Sequence, residues 1–148
     1  MGVKPTTELD FATAPKRNSI TWKQEKITWG KFLEYVVTPA GEKEAGNYIF
    51  GEIEGERRNK ASVVSRCALT LDIDFPDSGF IDRVQNVFDG YAYALHSTFS
   101  STKGKPRYRL IMPLSEKVGP AKYTELCYGV MALLGNTCFD PTTAQHER

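Results

Sequence analysis

Residues Leu69-Thr70-Leu71-Asp72-Ile73-Asp74-Phe75 constrain the fold more than any other stretch of the chain. Apolar and polar residues alternate strictly there, which predicts a β-strand with Leu69, Leu71, Ile73 and Phe75 on one face and Thr70, Asp72 and Asp74 on the other. Asp is depleted in strands, so two of them inside an apolar one need a reason. They project the same way, roughly 7 Å apart, and repel unless something positive lies between them. A hard divalent cation, Mg²⁺ or Mn²⁺, is the usual partner for such carboxylates. The alternative is a solvated strand face that happens to carry two Asp. An Asp-x-Asp motif alone does not decide, because unrelated enzymes share it.

Net charge is only +1 over 148 residues, which excludes a uniformly basic surface. The charge is unevenly placed. Tyr91 to Ser115 contains no acid but holds Lys103, Lys105, Arg107 and Arg109, leaving the remainder net acidic. A local basic patch of this kind suits phosphates. The length fits one ordinary domain, and the composition, 41% hydrophobic and 25% charged, is that of a globular protein. No apolar run is long enough for a membrane span and the N-terminus lacks a signal-peptide core, so the expected location is the cytoplasm, with no membrane partner. Cys67, Cys127 and Cys138 are scattered and odd in number, which points to reduced buried thiols.

In chain order, residues 1–18 read as an irregular or partly extended N-terminal arm ahead of one domain over 19–148. Ser19 to Thr28 reads as a short hairpin. Thr28 then caps a helix with Trp29, Phe32, Leu33, Val36 and Val37 on its apolar stripe, stopped by Pro39. Residues 40–46 read as a polar loop, and Asn47 to Glu54 as one strand. The charged turn that follows supplies Arg57, Arg58 and Lys60, and with Arg66 these are candidates for a nucleic-acid backbone; a solvated loop balanced by Glu52, Glu54 and Glu56 explains them equally well. After the Asp-x-Asp strand come a helix near 78–89, a strand over 91–98, a flexible Ser/Thr/Lys/Gly loop, a strand over 107–112, and a helix from Gly119-Pro120 to Gly135. The order from Leu69 onward is β-α-β-β-α-β. The predicted class is α+β: an RRM-like or ferredoxin-like antiparallel sheet with helices on one side, behind a small αβ leader. Arg107 and Arg109 share one strand face. Against Asp72 and Asp74 they would hold a triphosphate bidentately beside the metals, although an exposed basic edge strand is the competing reading.

The ordered set Leu-Asp72-Ile-Asp74-Phe, Ser97-Thr98 before a Ser/Lys/Gly loop, Lys105-Pro-Arg107-Tyr-Arg109-Leu-Ile-Met-Pro113-Leu, and Phe139-Asp140-Pro resembles the archaeo-eukaryotic primase superfamily. It is most similar to the primase-polymerase domains of phages and mobile elements, and the likeness extends over about residues 20–148. The resemblance implies that Asp72, Asp74 and Asp140 are catalytic and bind two divalent cations. It also implies nucleoside triphosphates as substrates, a single-stranded DNA template, and a helicase domain in a longer protein. The family's Ser-x-His motif is replaced here by Lys105-Pro106-Arg107, which puts polymerase efficiency in question. Arg107 and Arg109 then take over the phosphates, with Lys105, Ser97, Thr98 and His96 as further nucleotide-binding candidates and Lys103 as a nucleic-acid contact. No apolar closing element follows Asp140, so the chain is expected to be a fragment or a miniature of the family. The functional expectation is template-directed nucleotidyl transfer. The alternatives are a metal-dependent nuclease or glycosyltransferase, and a non-catalytic nucleic-acid-binding module of a replication initiator.

Overall fold

The computed structural model describes residues 3–15, 19–36 and 47–148. The end of the first helix with Pro39, the polar loop over 40–46 and the end of the arm at 16–18 lie outside them. Among the described residues the architecture is α+β, with antiparallel sheets and three α-helices. Two sheets are present among the described residues. Strands β1 (Glu8–Ala14), β2 (Lys23–Thr28) and β3 (Asn47–Ile49) form one in the order β2-β1-β3. Strands β4 (Gly51–Ile53), β5 (Val63–Ile73), β6 (Ala94–Ser97) and β7 (Tyr108–Val118) form the other in the order β4-β5-β7-β6.

The strand carrying Asp72 is central, as the alternation requires. Its odd residues Leu69, Leu71 and Ile73 pack with Leu110 and Met112 of β7 against helices α2 (Phe80–Val87) and α3 (Pro120–Leu134). On the opposite face Ala68 and Ile111 meet Leu9, Phe11 and Phe50, together with Trp29 and Phe32 of helix α1 (Trp29–Val36). Helices thus cover one side of the main sheet and the N-terminal layer covers the other. Each core side chain removed from water contributes on the order of 1.5–3 kcal/mol.

Several expectations need correction. Glu8–Ala14 is a strand that pairs with Lys23–Thr28, not part of an irregular arm. Ser19 to Thr28 therefore does not fold as a local hairpin. Asn47 to Glu54 is not one strand: Phe50, fully buried, separates β3 from β4, and the two belong to different sheets. The Asp-x-Asp strand stops at Ile73, and Phe75 is exposed. Helix α2 has Gly79 at its N-cap with no side-chain cap; Asp77 accepts from the Gly79 N–H and pairs with Arg83. The last strand of the β-α-β-β-α-β order is replaced by a 3-10 turn, Asn136–Cys138, and an irregular segment. That segment lies along the part of β5 that β4 leaves uncovered. The Phe75 N–H donates to the Cys138 carbonyl at 3.0 Å and the Asp140 N–H to the Asp72 carbonyl at 3.0 Å. The Asp72 N–H donates to Thr143 Oγ1 at 2.7 Å. It occupies the place beside the first strand that a fourth strand would take.

Candidate nucleotide-binding site

The register of the main sheet builds the site. Asp72 on β5 lies opposite Arg109 on β7, and Arg109 opposite His96 on β6. With Asp140 hydrogen-bonded through its backbone to the other edge of β5, a row Asp140–Asp72–Arg109–His96 crosses the sheet. Period two puts this row on the face turned toward the N-terminal layer, away from α2 and α3.

Arg109 binds Asp72 with both arms of its guanidinium: Nε donates to Oδ1 at 2.7 Å and Nη2 to Oδ2 at 3.5 Å. Burial opposes the Arg109 charge, but Tyr48 and Asp72 outweigh it and hold the guanidinium more firmly protonated. Tyr48 covers the row from β3. Its hydroxyl lies 3.4 Å from His96 Nε2, and the Arg109 Cζ is 5.6 Å from its ring centroid. Burial pushes the Tyr48 phenol up, with Arg109 pulling against it. Burial also pushes the His96 imidazole down, so the ring is neutral at physiological pH.

Asp140 has its own partners. Its Oδ1 accepts from the N–H and hydroxyl of Thr142, both at 2.9 Å, and its Oδ2 lies 3.3 Å from Arg148 Nη2. Both Asp72 and Asp140 are thus held by arginines. Among the described residues no three Asp, Glu, His or Cys side chains gather as a ready metal cluster. The donor set nevertheless suits a hard cation. Two carboxylates rise from adjoining backbone segments, and half-buried Asp74 follows two residues beyond.

Arg107 precedes β7 on the same face as Arg109, and its Nε is buried without a hydrogen-bond partner among the described residues. A buried donor left open beside a second guanidinium suits an incoming anion. The loop between β6 and β7 is stitched closed. The Thr98 N–H donates to the Arg107 carbonyl at 3.0 Å, the Arg107 N–H to Ser101 Oγ at 3.0 Å and the Lys105 N–H to Thr102 Oγ1 at 3.0 Å. Lys103 and Lys105 are exposed at its tip.

Other candidates sit elsewhere. Ser97 shares its sheet face with Leu95 and lines a groove with Ile81, Val84, Tyr93 and Tyr108, on the helix side, away from Asp72. Arg66 is 0% exposed and is not a surface contact for nucleic acid. Its Nε donates to the Phe50 carbonyl, its Nη1 to the carbonyls of His146 and Arg148, and its Nη2 to Thr70 Oγ1, while the guanidinium lies 4.2 Å from the Tyr123 ring centroid. Arg58 donates to the Glu147 carbonyl and stacks on Trp22. Arg57 and Lys60 are exposed. The sequence reading missed Tyr48, Thr142 and Thr143. Tyr48 and Thr143 reach the site through long-range pairing and Thr142 through a local turn on Asp140, and no motif marks any of them.

A family model for the VapE N-terminal domain matches residues 40–148. The chain belongs to the VapE N-terminal domain family. That match spans every residue of the Asp140–Asp72–Arg109–His96 row. Among solved structures the chain is similar to the AEP domain of the primase-polymerase of cyanophage S-2L, with 17% identity, 98% of this chain and 71% of that chain covered, and a TM-score of 0.47. At that identity the likeness concerns fold alone. No curated protein matches in sequence. No helix among the described residues is long and apolar enough to cross a membrane.

Proposed function

We propose that this VapE N-terminal domain carries out template-directed nucleotidyl transfer during replication of a phage or mobile element. One observation carries the reading: the sheet register sets the Asp72 carboxylate against Arg109 and beside Asp140, with Arg107 on the same face and its Nε open. Arg107 and Arg109 bind the triphosphate of the incoming nucleotide bidentately, fixing it in line for attack. Asp72 and Asp140, with Asp74, would hold Mg²⁺ or Mn²⁺, which when bound would neutralise phosphate charge and activate the attacking hydroxyl. Arg109, now on Asp72, would release the carboxylate on taking up a phosphate. Exposed Lys103 and Lys105, in the loop at the Asp72 end of the sheet, would meet the backbone of a single-stranded template, a salt-dependent contact, with Arg57 and Lys60 at the far end of β5 as further candidates.

A non-catalytic nucleic-acid-binding module is the second reading, favoured by the fact that both principal carboxylates already have arginine partners. Incorporation of a labelled deoxynucleotide on a primed single-stranded template with Mn²⁺ separates the two. The polymerase reading expects incorporation by the wild type and a loss of at least a hundredfold in Asp72→Asn and Asp140→Asn. Nucleic-acid binding with no incorporation in any divalent cation overturns it in favour of the second.

A further inference from the structure

We propose that Tyr48 is a positioning residue of this site: its hydroxyl fixes His96 as the Nδ1–H tautomer and orients the Arg109 guanidinium over the site. The proposal rests on the nucleotide-binding reading for its consequence, but its geometry stands alone. His96 Nδ1 lies 2.9 Å from the Ser97 carbonyl, which can only accept, so Nδ1 carries the proton. A neutral ring then leaves Nε2 as a bare acceptor. The Tyr48 hydroxyl is 3.4 Å away and donates to it. With its proton turned to His96, the Tyr48 oxygen is left to accept from Arg109, whose charge acts on the Tyr48 phenol and whose other side grips Asp72. A directional chain runs across the sheet from Asp72 through Arg109, Tyr48 and His96 to the Ser97 carbonyl.

Tyr48 is itself held firmly. Its ring stacks on Phe11 at 5.5 Å and meets Phe32 and Phe50 edge-on at 5.3 and 5.8 Å, and β3 anchors it to β1 through the pair Thr13↔Tyr48. The N-terminal layer thereby sets the geometry of groups on the main sheet. One consequence follows for role assignment. While Tyr48 occupies Nε2, His96 offers no donor to a phosphate, so His96 orients and the arginines bind.

The chain has two histidines, His96 and His146, so a ¹⁵N-histidine spectrum is readily assigned with His96→Gln. The wild type is expected to show His96 protonated at Nδ1. Tyr48→Phe keeps the ring and removes only the hydroxyl. It should let the His96 tautomers mix and weaken binding of a non-hydrolysable deoxynucleoside triphosphate with Mn²⁺ roughly three- to tenfold, the worth of one neutral hydrogen bond, with a melting temperature near that of the wild type. A wild-type spectrum with the proton on Nε2 overturns the proposal without any variant, as does an unchanged tautomer in Tyr48→Phe. If the wild type binds no triphosphate, the nucleotide reading fails, while the spectra still decide the role of Tyr48.

Discussion

Arg109→Gln tests whether the guanidinium bound to Asp72 is a structural tie, a phosphate ligand, or both. The pair is close, at 2.7 Å, and the Arg109 and Asp72 side chains retain 31% and 22% of their exposure. A charge-assisted hydrogen bond contributes about 1.5–3 kcal/mol. Partial access to water puts this pair at the lower end, about 1.5–2 kcal/mol. For a chain of this length the melting temperature should fall by about 3–8 °C. The metal affinity should move in the opposite direction. Guanidinium and divalent cation compete for the same Asp72 oxygens, so the nucleotide-free variant binds Mn²⁺ more tightly than the wild type. Its triphosphate affinity should drop about tenfold, because a phosphate-holding fork is gone. Thermal melts and Mn²⁺ titrations followed by electron paramagnetic resonance measure the first two quantities. The cycle completed with Asp72→Asn and the double variant isolates the pair term. An Arg109→Gln protein with wild-type melting and wild-type Mn²⁺ affinity would refute the reasoning, since the ion pair would then neither stabilise the fold nor compete for the acid.

Arg66→Met should be among the most damaging single changes, costing about 3–5 kcal/mol, because three buried carbonyls lose a charged donor; urea denaturation measures it, and a cost below 1 kcal/mol contradicts the clamp. Gly51→Ala places a Cβ 2.2 Å from the Ser65 carbonyl oxygen, so β4 must move off β5, at about 1–3 kcal/mol by the same measurement; a neutral substitution shows that β4 is not held so closely. Burial pushes the thiols of Cys67 and Cys127 up to about 11 each and the Tyr123 phenol up to about 12. All three lose protons more readily unfolded, so their contribution is complete below the ordinary thiol range near pH 8.5 and is lost as pH rises through about 11 for the thiols and about 12 for the phenol. The urea midpoint should therefore be flat from about pH 7 to 8 and decline above about pH 9; a midpoint unchanged through about pH 10.5 contradicts neutral buried thiols.

What could be read in the sequence followed from local periodicity. The alternation around Asp72 places a central strand and its two faces, and the helical spacing of Tyr123, Leu126, Cys127, Val130, Met131 and Leu134 marks α3, where all are buried except Leu126 and Val130, which are half-buried. Strand β1 was missed because its inward side chains include Ala12 and Ala14, which alternate too weakly with Thr13 to register as a pattern. The break at Phe50 was invisible because one apolar run serves two sheets, Ile49 packing with Ala12 and Trp22 while Phe50 packs with Phe11 and Phe32. Arg66 reads as a surface residue, a nucleic-acid contact or part of a solvated loop, because it closes a charged stretch; that it enters a strand already begun at Val63, and carries its own buried acceptors, depends on residues 80 or more positions away. The site is legible only in part for the same reason. Asp72 and Arg109 stand out by type and spacing, whereas Tyr48 and Thr143 reach them through sheet pairing and the closing segment.

The most direct measurement is a crystal of this protein soaked with a non-hydrolysable deoxynucleoside triphosphate and Mn²⁺, with anomalous scattering locating the metal. The account predicts an anomalous peak bound by Asp72 and Asp140, the Arg109 guanidinium released from Asp72, and the triphosphate lying on Arg107 and Arg109. A triphosphate bound elsewhere, with Arg109 still closed on Asp72 and no metal between the two carboxylates, would contradict it.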